Sequence, residues 1–257
     1  MMKNFLLILF ALSFLNFSIG QNLERKLLKY YDYFIETNLE KGEFTKYYLS
    51  NGLVTVKEIY RNNELQRRIE LEYDEYNNVN TETETYNIKK GKVNKVLYSK
   101  GKVYTNSEYY GSLETDKQVE ENKPFDQMYN YWKVRQQEPN ILWSGETFSF
   151  PASDIWHEFD ENNNVIELNT STIYDNGDGT ITRVSSVTNF KYDDMNNLIE
   201  IHREFKPKRE FPIEYKEGQF LYEYEYFRYT YNDKGLWTKK YKTVNGEENL
   251  IAEREYK

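Results

Sequence analysis

The sequence predicts an all-β, mainly antiparallel fold: an extended meander of repeated β-hairpins forming an open, twisted sheet, with an N-terminal helix and a short helix between two β blocks. Three observations predict it. From Phe44 to the C-terminus, short runs rich in Tyr, Val, Ile and Thr alternate with turn signals at close intervals. Aromatic residues make up 17% of a chain whose mean hydropathy is −0.89, a balance that suits a thin sheet in which Tyr buries its ring and keeps its hydroxyl wet. There is no cysteine, so no disulfide framework or thiolate metal site is available, and packing and hydrogen bonds must hold the chain.

Residues 1–20 read as a signal peptide. Lys3 gives a positive start, Phe5 to Phe17 form an apolar stretch too short to span a bilayer, and Ser18 and Gly20 supply small side chains before Gln21. The expected location is therefore secreted or periplasmic, with no membrane span after signal cleavage. Removing Lys3 and no acid changes the basic count from 34 to 33 against 42 acids, so the charge goes from −8 to −9. That acidic balance, with Lys and Arg scattered among Glu and Asp, argues against nucleic acid as a partner.

Residues 21–43 are expected to form an N-terminal capping helix: Leu23, Leu27, Tyr30, Tyr31, Phe34 and Ile35 share one face, Asn22 can cap the start and Gly42 the end. Residues 44–119 form a first hairpin block, with turns at Asn51-Gly52, Asn62-Asn63, Asn77-Asn78, Lys90-Gly91 and Lys100-Gly101. Ile69, Leu71 and Tyr73 alternate with Glu70 and Glu72, one face apolar and the other charged. Residues 120–151 hold three of the five prolines, and Phe125, Met128, Tyr129 and Trp132 recur there at helical spacing, which predicts a helical connector. Residues 152–257 form the second block, joined to the first in one sheet or abutting it as another. Within it, Phe220, Tyr222, Tyr224 and Tyr226 change phase to Phe227, Tyr229 and Tyr231, either through a bulge near Tyr226 or because the strand carries aromatics on both faces.

Four heptads share a pattern: Tyr73 to Val79, Phe159 to Val165, Tyr192 to Leu198, and Tyr231 to Trp237. Each runs aromatic, Asx, acid, variable residue, Asn or Gly, then an apolar residue two positions on. The Asx side chain is expected to bond the turn backbone, and the Asn or Gly to take a left-handed conformation. The pattern resembles the YD repeat of RHS-type bacterial surface and secreted proteins. Asn replaces the family's Gly in three of the four copies, and the Arg that often follows it is absent. The resemblance implies hairpin strips that build a scaffold or binding surface, and it implies no catalysis.

No arrangement of residues amounts to a recognisable active site, so no catalytic, cofactor-binding or metal-binding residue is assigned and no cofactor is expected. His157 and His202 are the only histidines, and the proximity of Ser153, Asp154 and His157 in sequence carries no sign of a nucleophile elbow. Around Asp178-Gly179-Thr180, a calcium-loop register would put Tyr174 first and Ser185 twelfth, so a hairpin turn explains the residues better. Glu223 and Glu225, between tyrosines, read as the wet side of a strand rather than glycosidase carboxylates. Trp132, Trp143, Trp156 and Trp237 are the candidate ligand-contact aromatics, against the alternative that these rings are core. The function expected is an exported, non-enzymatic binding or scaffold module with a glycan or protein partner at the cell envelope. A hydrolase acting on envelope or extracellular polymers, its carboxylates grouped only in three dimensions, is the alternative. Self-association through the edge of the first or last hairpin is a further expectation.

Overall fold

The computed structural model describes residues 19–86, 92–99, 102–105, 108–112, 129–130, 133–134, 154–175, 178–216 and 218–257. Helix α1 spans Ile19–Leu28. Eight strands follow: β1 (Tyr33–Asn38), β2 (Glu43–Ser50), β3 (Leu53–Arg61), β4 (Glu64–Tyr73), β5 (Val79–Tyr86), β6 (Lys92–Ser99), β7 (Lys102–Thr105) and β8 (Glu108–Ser112). Tyr129, Asn130, Lys133 and Val134 are helical, in the predicted connector. The second series comprises β9 (Asp154–Phe159), β10 (Val165–Asp175), β11 (Ile181–Tyr192), β12 (Leu198–Lys206), β13 (Ile213–Lys216), β14 (Gln219–Leu221), β15 (Tyr224–Tyr231), β16 (Trp237–Val244) and β17 (Glu247–Tyr256).

Fifteen of these strands form one open antiparallel sheet in the order β8-β7-β6-β5-β4-β3-β2-β1-β17-β16-β15-β12-β11-β10-β9, and β13 and β14 form a separate hairpin. Both predicted blocks thus belong to one sheet. Its centre is where the two ends of the chain meet: Phe34 lies opposite Tyr256, and Glu36 opposite Arg254. The first and last strands are therefore spine strands, and among the described residues the outermost strands of the sheet are β8 and β9. Edge association through the first or last hairpin is corrected accordingly.

The predicted helix over residues 21–43 is also corrected. It runs from Ile19 to Leu28, so Asn22 lies inside it, and Phe34 and Ile35 belong to β1. Both sides of β1 are paired, with β2 and β17, and that ladder outweighs a helical spacing readable in Tyr30, Tyr31 and Phe34. The helix still caps one end of the sheet. Leu28 packs with Phe34 and Leu236, and its neighbours Leu27, Tyr31, Tyr47, Leu49, Val54 and Tyr256 complete the cluster. A Cβ on Gly52 would stand 2.1 Å from the Arg25 carbonyl oxygen, so this turn can only be glycine while α1 lies against it.

The turns follow the predicted chemistry. Asn51 and Gly52, Asn62 and Asn63, and Asn245 and Gly246 all have positive φ, as two-residue hairpin loops of the primed type require. The turns expected at Lys90-Gly91 and Lys100-Gly101 fall outside the described residues. In the four heptads the second residue accepts backbone N–H bonds from the fourth and sixth through its side chain, at 2.8 to 3.0 Å for Asp74, Asp160, Asp193 and Asn232. The fifth residue, Asn77, Asn163, Asn196 or Gly235, is left-handed. A second element recurs that the pattern alone did not reveal. The Tyr73, Tyr192, Tyr229 and Tyr256 hydroxyls donate to the carbonyls of Val54, Val165, Leu198 and Trp237, each just past an earlier turn at the same end. Burial raises the pKa of the Tyr73, Tyr192 and Tyr229 phenols and pushes that of Tyr256 up to about 12, so all four remain donors.

Counted outward from the β1·β17 spine, the fourth to sixth strands of the two arms share one core. Ile69 and Leu71 of β4, Val79 of β5 and Val96 of β6 cluster with Ile201 of β12, Phe190 of β11, and Val165 and Leu168 of β10. The sheet therefore curls until its arms face each other. The described connector residues lie between them: Tyr129 and Val134 pack on the shared cluster, Lys133 Nζ pairs with buried Glu82 at 2.7 Å, and Asn130 donates to the Asn163 carbonyl at 2.9 Å. Ile69 and Leu71 face this core while Glu70 and Glu72 face water, as the alternation predicted.

The bulge expected near Tyr226 is absent from the β15 ladders, where the register shift falls between Thr230 and Tyr231. Phe220 to Tyr231 is not one strand, because β14 ends at Leu221 and β15 begins at Tyr224. Phe227 packs against the shared core while Tyr224 and Tyr226 face outward, so the reading with aromatics on both faces holds.

Candidate functional site

Of the four tryptophans, Trp132 and Trp143 lie outside the described residues. Trp237 is core: it is 6% exposed, meets Tyr229 edge-on at 5.6 Å, and carries the Arg254 guanidinium 3.8 Å above its ring. Arg254 is held in turn by Glu36 at 2.8 Å and Glu24 at 3.1 Å. Trp237 is thus corrected from ligand contact to structural ring. Trp156, on the edge strand β9, is 46% exposed.

The larger exposed aromatic feature lies on the convex face of the second arm. Tyr224 and Tyr226 project from the same side of β15, 40% and 45% exposed, with ring centroids 6.0 Å apart and planes within 6°. His202 of β12 lies opposite Tyr224 and stacks on it at 4.3 Å with planes within 5°. The three rings form one aligned row. Beside it, Lys191 pairs with Glu200 at 2.8 Å, and Glu200 lies opposite Tyr226. The row through His202 continues across the sheet to Asn189, Glu167 and Glu158, and Trp156 stands on the same face one step further along β9. Four inter-strand spacings separate β15 from β9, about 19 Å. The result is a long, shallow face with aromatics at both ends and amide and carboxylate groups between, a geometry suited to an extended polymer lying across strands.

The sequence missed this site because it set the tyrosines of β15 inward and the glutamates outward. The structure inverts that assignment for Glu225. It is 8% exposed and pairs at 2.7 Å with Arg203, itself 3% exposed, which also donates to the Tyr222 carbonyl at 2.9 Å. Only Glu223 is on the wet side. The cause is the insertion between β12 and β15: β13 and β14 fold back with Phe211 and Ile213 against Val184, Phe205 and Leu221, and β15 starts anew in the opposite phase.

The remaining candidates have structural employment. His157 is buried beside Phe159, edge-on at 5.1 Å, and burial lowers its pKa to about 4, so the ring is neutral at physiological pH. The Asp178 carboxylate accepts bonds from the Thr180 N–H and hydroxyl within its own turn. Among the described residues, three carboxylates have clearly displaced titration, and all three move below the ordinary range. Burial alone would raise Glu58, but hydrogen bonds from Tyr60 and Tyr48 and the Arg68 charge outweigh it. The Thr180 hydroxyl lowers Asp178, and the bond from Arg228 lowers Glu248. Among the described residues no group of three or more His, Cys, Asp and Glu could hold a metal ion.

No family model matches the chain, and no curated protein matches it. Among solved structures it is similar to a porin-like protein from Bacteroides uniformis ATCC 8492, with 9% identity over 88% of this chain and 98% of that one and a TM-score of 0.34. It is also similar to a chain of the TcdB2-TccC3-Cdc42 structure, with 9% identity over 82% of this chain but 12% of that one and a TM-score of 0.20.

Proposed function

We propose that this protein is an exported, non-enzymatic binding module whose convex face takes a glycan strand of the cell envelope or its surroundings. The observation that carries the reading is the aligned, exposed row of His202, Tyr224 and Tyr226, continued by Trp156 on the same face. Aromatic rings left in water present apolar surface that a sugar ring can cover, while the amide of Asn189 and the carboxylates of Glu167 and Glu158 can bond its hydroxyls. Export is supported by the charged, apolar and small-residue order of residues 1–20. A YD-like repeat scaffold is supported by the same Asx turn in all four heptads and by the tyrosine bond that ties turn to turn.

The test is a glycan and envelope-fraction binding screen of the protein. Tyr224→Ala, Tyr226→Ala and Trp156→Ala should each lose roughly two- to tenfold in affinity, the range expected for removing one aromatic contact. Unchanged binding in all three variants, with folding intact, would remove the convex face from consideration.

A further inference from the structure

Charges on the convex face of the second arm are unevenly matched. The two cations beside the aromatic row are each held by a carboxylate: Lys191 by Glu200 at 2.8 Å, and Arg228, two residues past Tyr226 on β15, by Glu248 at 2.5 Å. The Arg228 guanidinium also lies 4.1 Å from the centre of the Tyr241 ring. Other carboxylates on this face have no such partner. Among the described residues, Glu158, Glu167 and Glu204 form no ion pair with Lys or Arg. Glu167 accepts from the Asn169 amide, and Glu204 lies 3.7 Å from His202 Nε2. Lys206, the next outward residue of β12, is exposed and pairs with none of them. The register brings the three acids around the rings. Glu158 and Glu167 lie opposite each other on β9 and β10, and their row runs through Asn189 and His202 to Tyr224. Glu204 stands in the next row, joined through Val187 and Asn169 to Trp156.

Like charges directly opposite each other on a sheet are destabilising, and Glu158 and Glu167 are such a pair. A cation placed between them relieves the repulsion. The rings select the same sign of charge, because the face of a tyrosine is electrostatically negative and attracts ammonium groups. Given the glycan reading of this face, we propose that its ligand is an amino glycan, a polymer whose sugars carry free protonated amino groups. Its sugar rings lie on Tyr224, Tyr226 and Trp156, and its ammonium groups lie among Glu158, Glu167 and Glu204. A neutral glycan keeps the ring contacts and loses the charge contacts. A glycan bearing carboxylates or sulfates meets repulsion at the same three residues.

Oligomers of glucosamine, of N-acetylglucosamine and of a uronic acid, equal in length, are compared by calorimetry at constant ionic strength and at a mildly acid pH that keeps the sugar amines protonated. The glucosamine oligomer is expected to bind about tenfold tighter than the N-acetylated one, and the uronic acid oligomer more weakly than either. Added salt should erase the preference and spare the N-acetylated oligomer. Glu158→Gln, Glu167→Gln and Glu204→Gln together should bring the first two within about twofold and leave the urea midpoint at or above that of the parent. Glu64→Gln, at an exposed acid of β4, should change neither. Equal affinity for the amino and N-acetylated oligomers, both weakened by Tyr224→Ala, would overturn the amino preference and leave the glycan reading standing. A preference that survives the triple replacement would overturn the role of the three carboxylates. An oligolysine of equal charge that binds as tightly as the glucosamine oligomer would show that charge alone is read, which overturns the proposal too. Binding of no oligomer, or binding indifferent to Tyr224→Ala in a chain whose circular dichroism matches the parent, would remove the glycan reading and this inference with it.

Discussion

Replacing Glu225 by leucine tests whether the inverted phase of β15 is right. The ladder between β12 and β15 covers only Glu200 to His202, because the insertion that follows splits the two strands apart. Glu225 lies opposite Ile201 within that ladder, and Arg203, the residue just past the ladder, donates its backbone N–H to the Glu223 carbonyl at 2.9 Å and reaches the Glu225 carboxylate at 2.7 Å. With Arg203 only 3% exposed, Glu225→Leu leaves a cation enclosed without its carboxylate. Breaking a buried pair in this way costs roughly 3–5 kcal/mol. The bond from Arg203 to the Tyr222 carbonyl survives, which places the expectation at the low end, about 3 kcal/mol. With a urea slope of about 2–3 kcal/mol per molar, the unfolding midpoint falls by about 1–1.5 M. The double replacement Arg203→Met with Glu225→Leu removes both charges and should recover most of that loss, since an apolar pair of similar volume often matches a buried ion pair. Urea unfolding of the four proteins of the cycle provides the measurement. A Glu225→Leu cost below about 0.5 kcal/mol, the usual range for a surface substitution, would mean that Glu225 faces water and that the inward phase is wrong.

The tyrosine bonds between turns predict that Tyr192→Phe loses about 1 kcal/mol by leaving the Val165 carbonyl without its donor, and that Tyr73→Phe adds to it independently; additivity in urea unfolding checks both. Gly52→Ala and Gly246→Ala carry nearly the same left-handed φ, yet only Gly52 has the Arg25 carbonyl in the way, so Gly246→Ala costs about 1 kcal/mol and Gly52→Ala about 2 kcal/mol or more, with loss of α1 docking; thermal melts distinguish them. His157 titrates at about 4 in the folded chain against about 6.5 unfolded, so the unfolded state binds the proton first. Its contribution is complete above pH 6.5 and is lost as pH falls through 6.5 towards 4, amounting to roughly 1–3 kcal/mol after allowance for solvent screening. His157→Phe should flatten that part of the stability curve, as urea unfolding at a series of pH values would show.

Hairpins were legible because their chemistry is local. Asn-Gly at 51–52 and Asp74 with Asn77 carry their own hydrogen-bond partners within a few residues, so spacing alone identified the turns. The spine was not legible, since nothing near Phe34 announces that its partner is Tyr256, more than two hundred residues away. The same distance hid β1: Phe34 and Ile35 continue an apolar helical stripe, and only pairing on both sides makes them strand. Glu225 was misplaced because the break at Tyr222 and Glu223 resets the alternation, and its cation comes from another strand. Composition flagged aromatics as the functional element but pointed to tryptophan by size. The structure keeps Trp237 for the core beneath Arg254 and exposes Tyr224 and Tyr226 instead.

Everything positioned on this sheet depends on the chain ends meeting at its centre. Cross-strand nuclear Overhauser effects between β1 and β17, measured on isotopically labelled protein, address that directly. Contacts between Phe34 and Tyr256 and between Glu36 and Arg254, with slow amide exchange along β17, are predicted. Amides of β1 and β17 that exchange at edge-strand rates, with no contact between the two, would contradict the account.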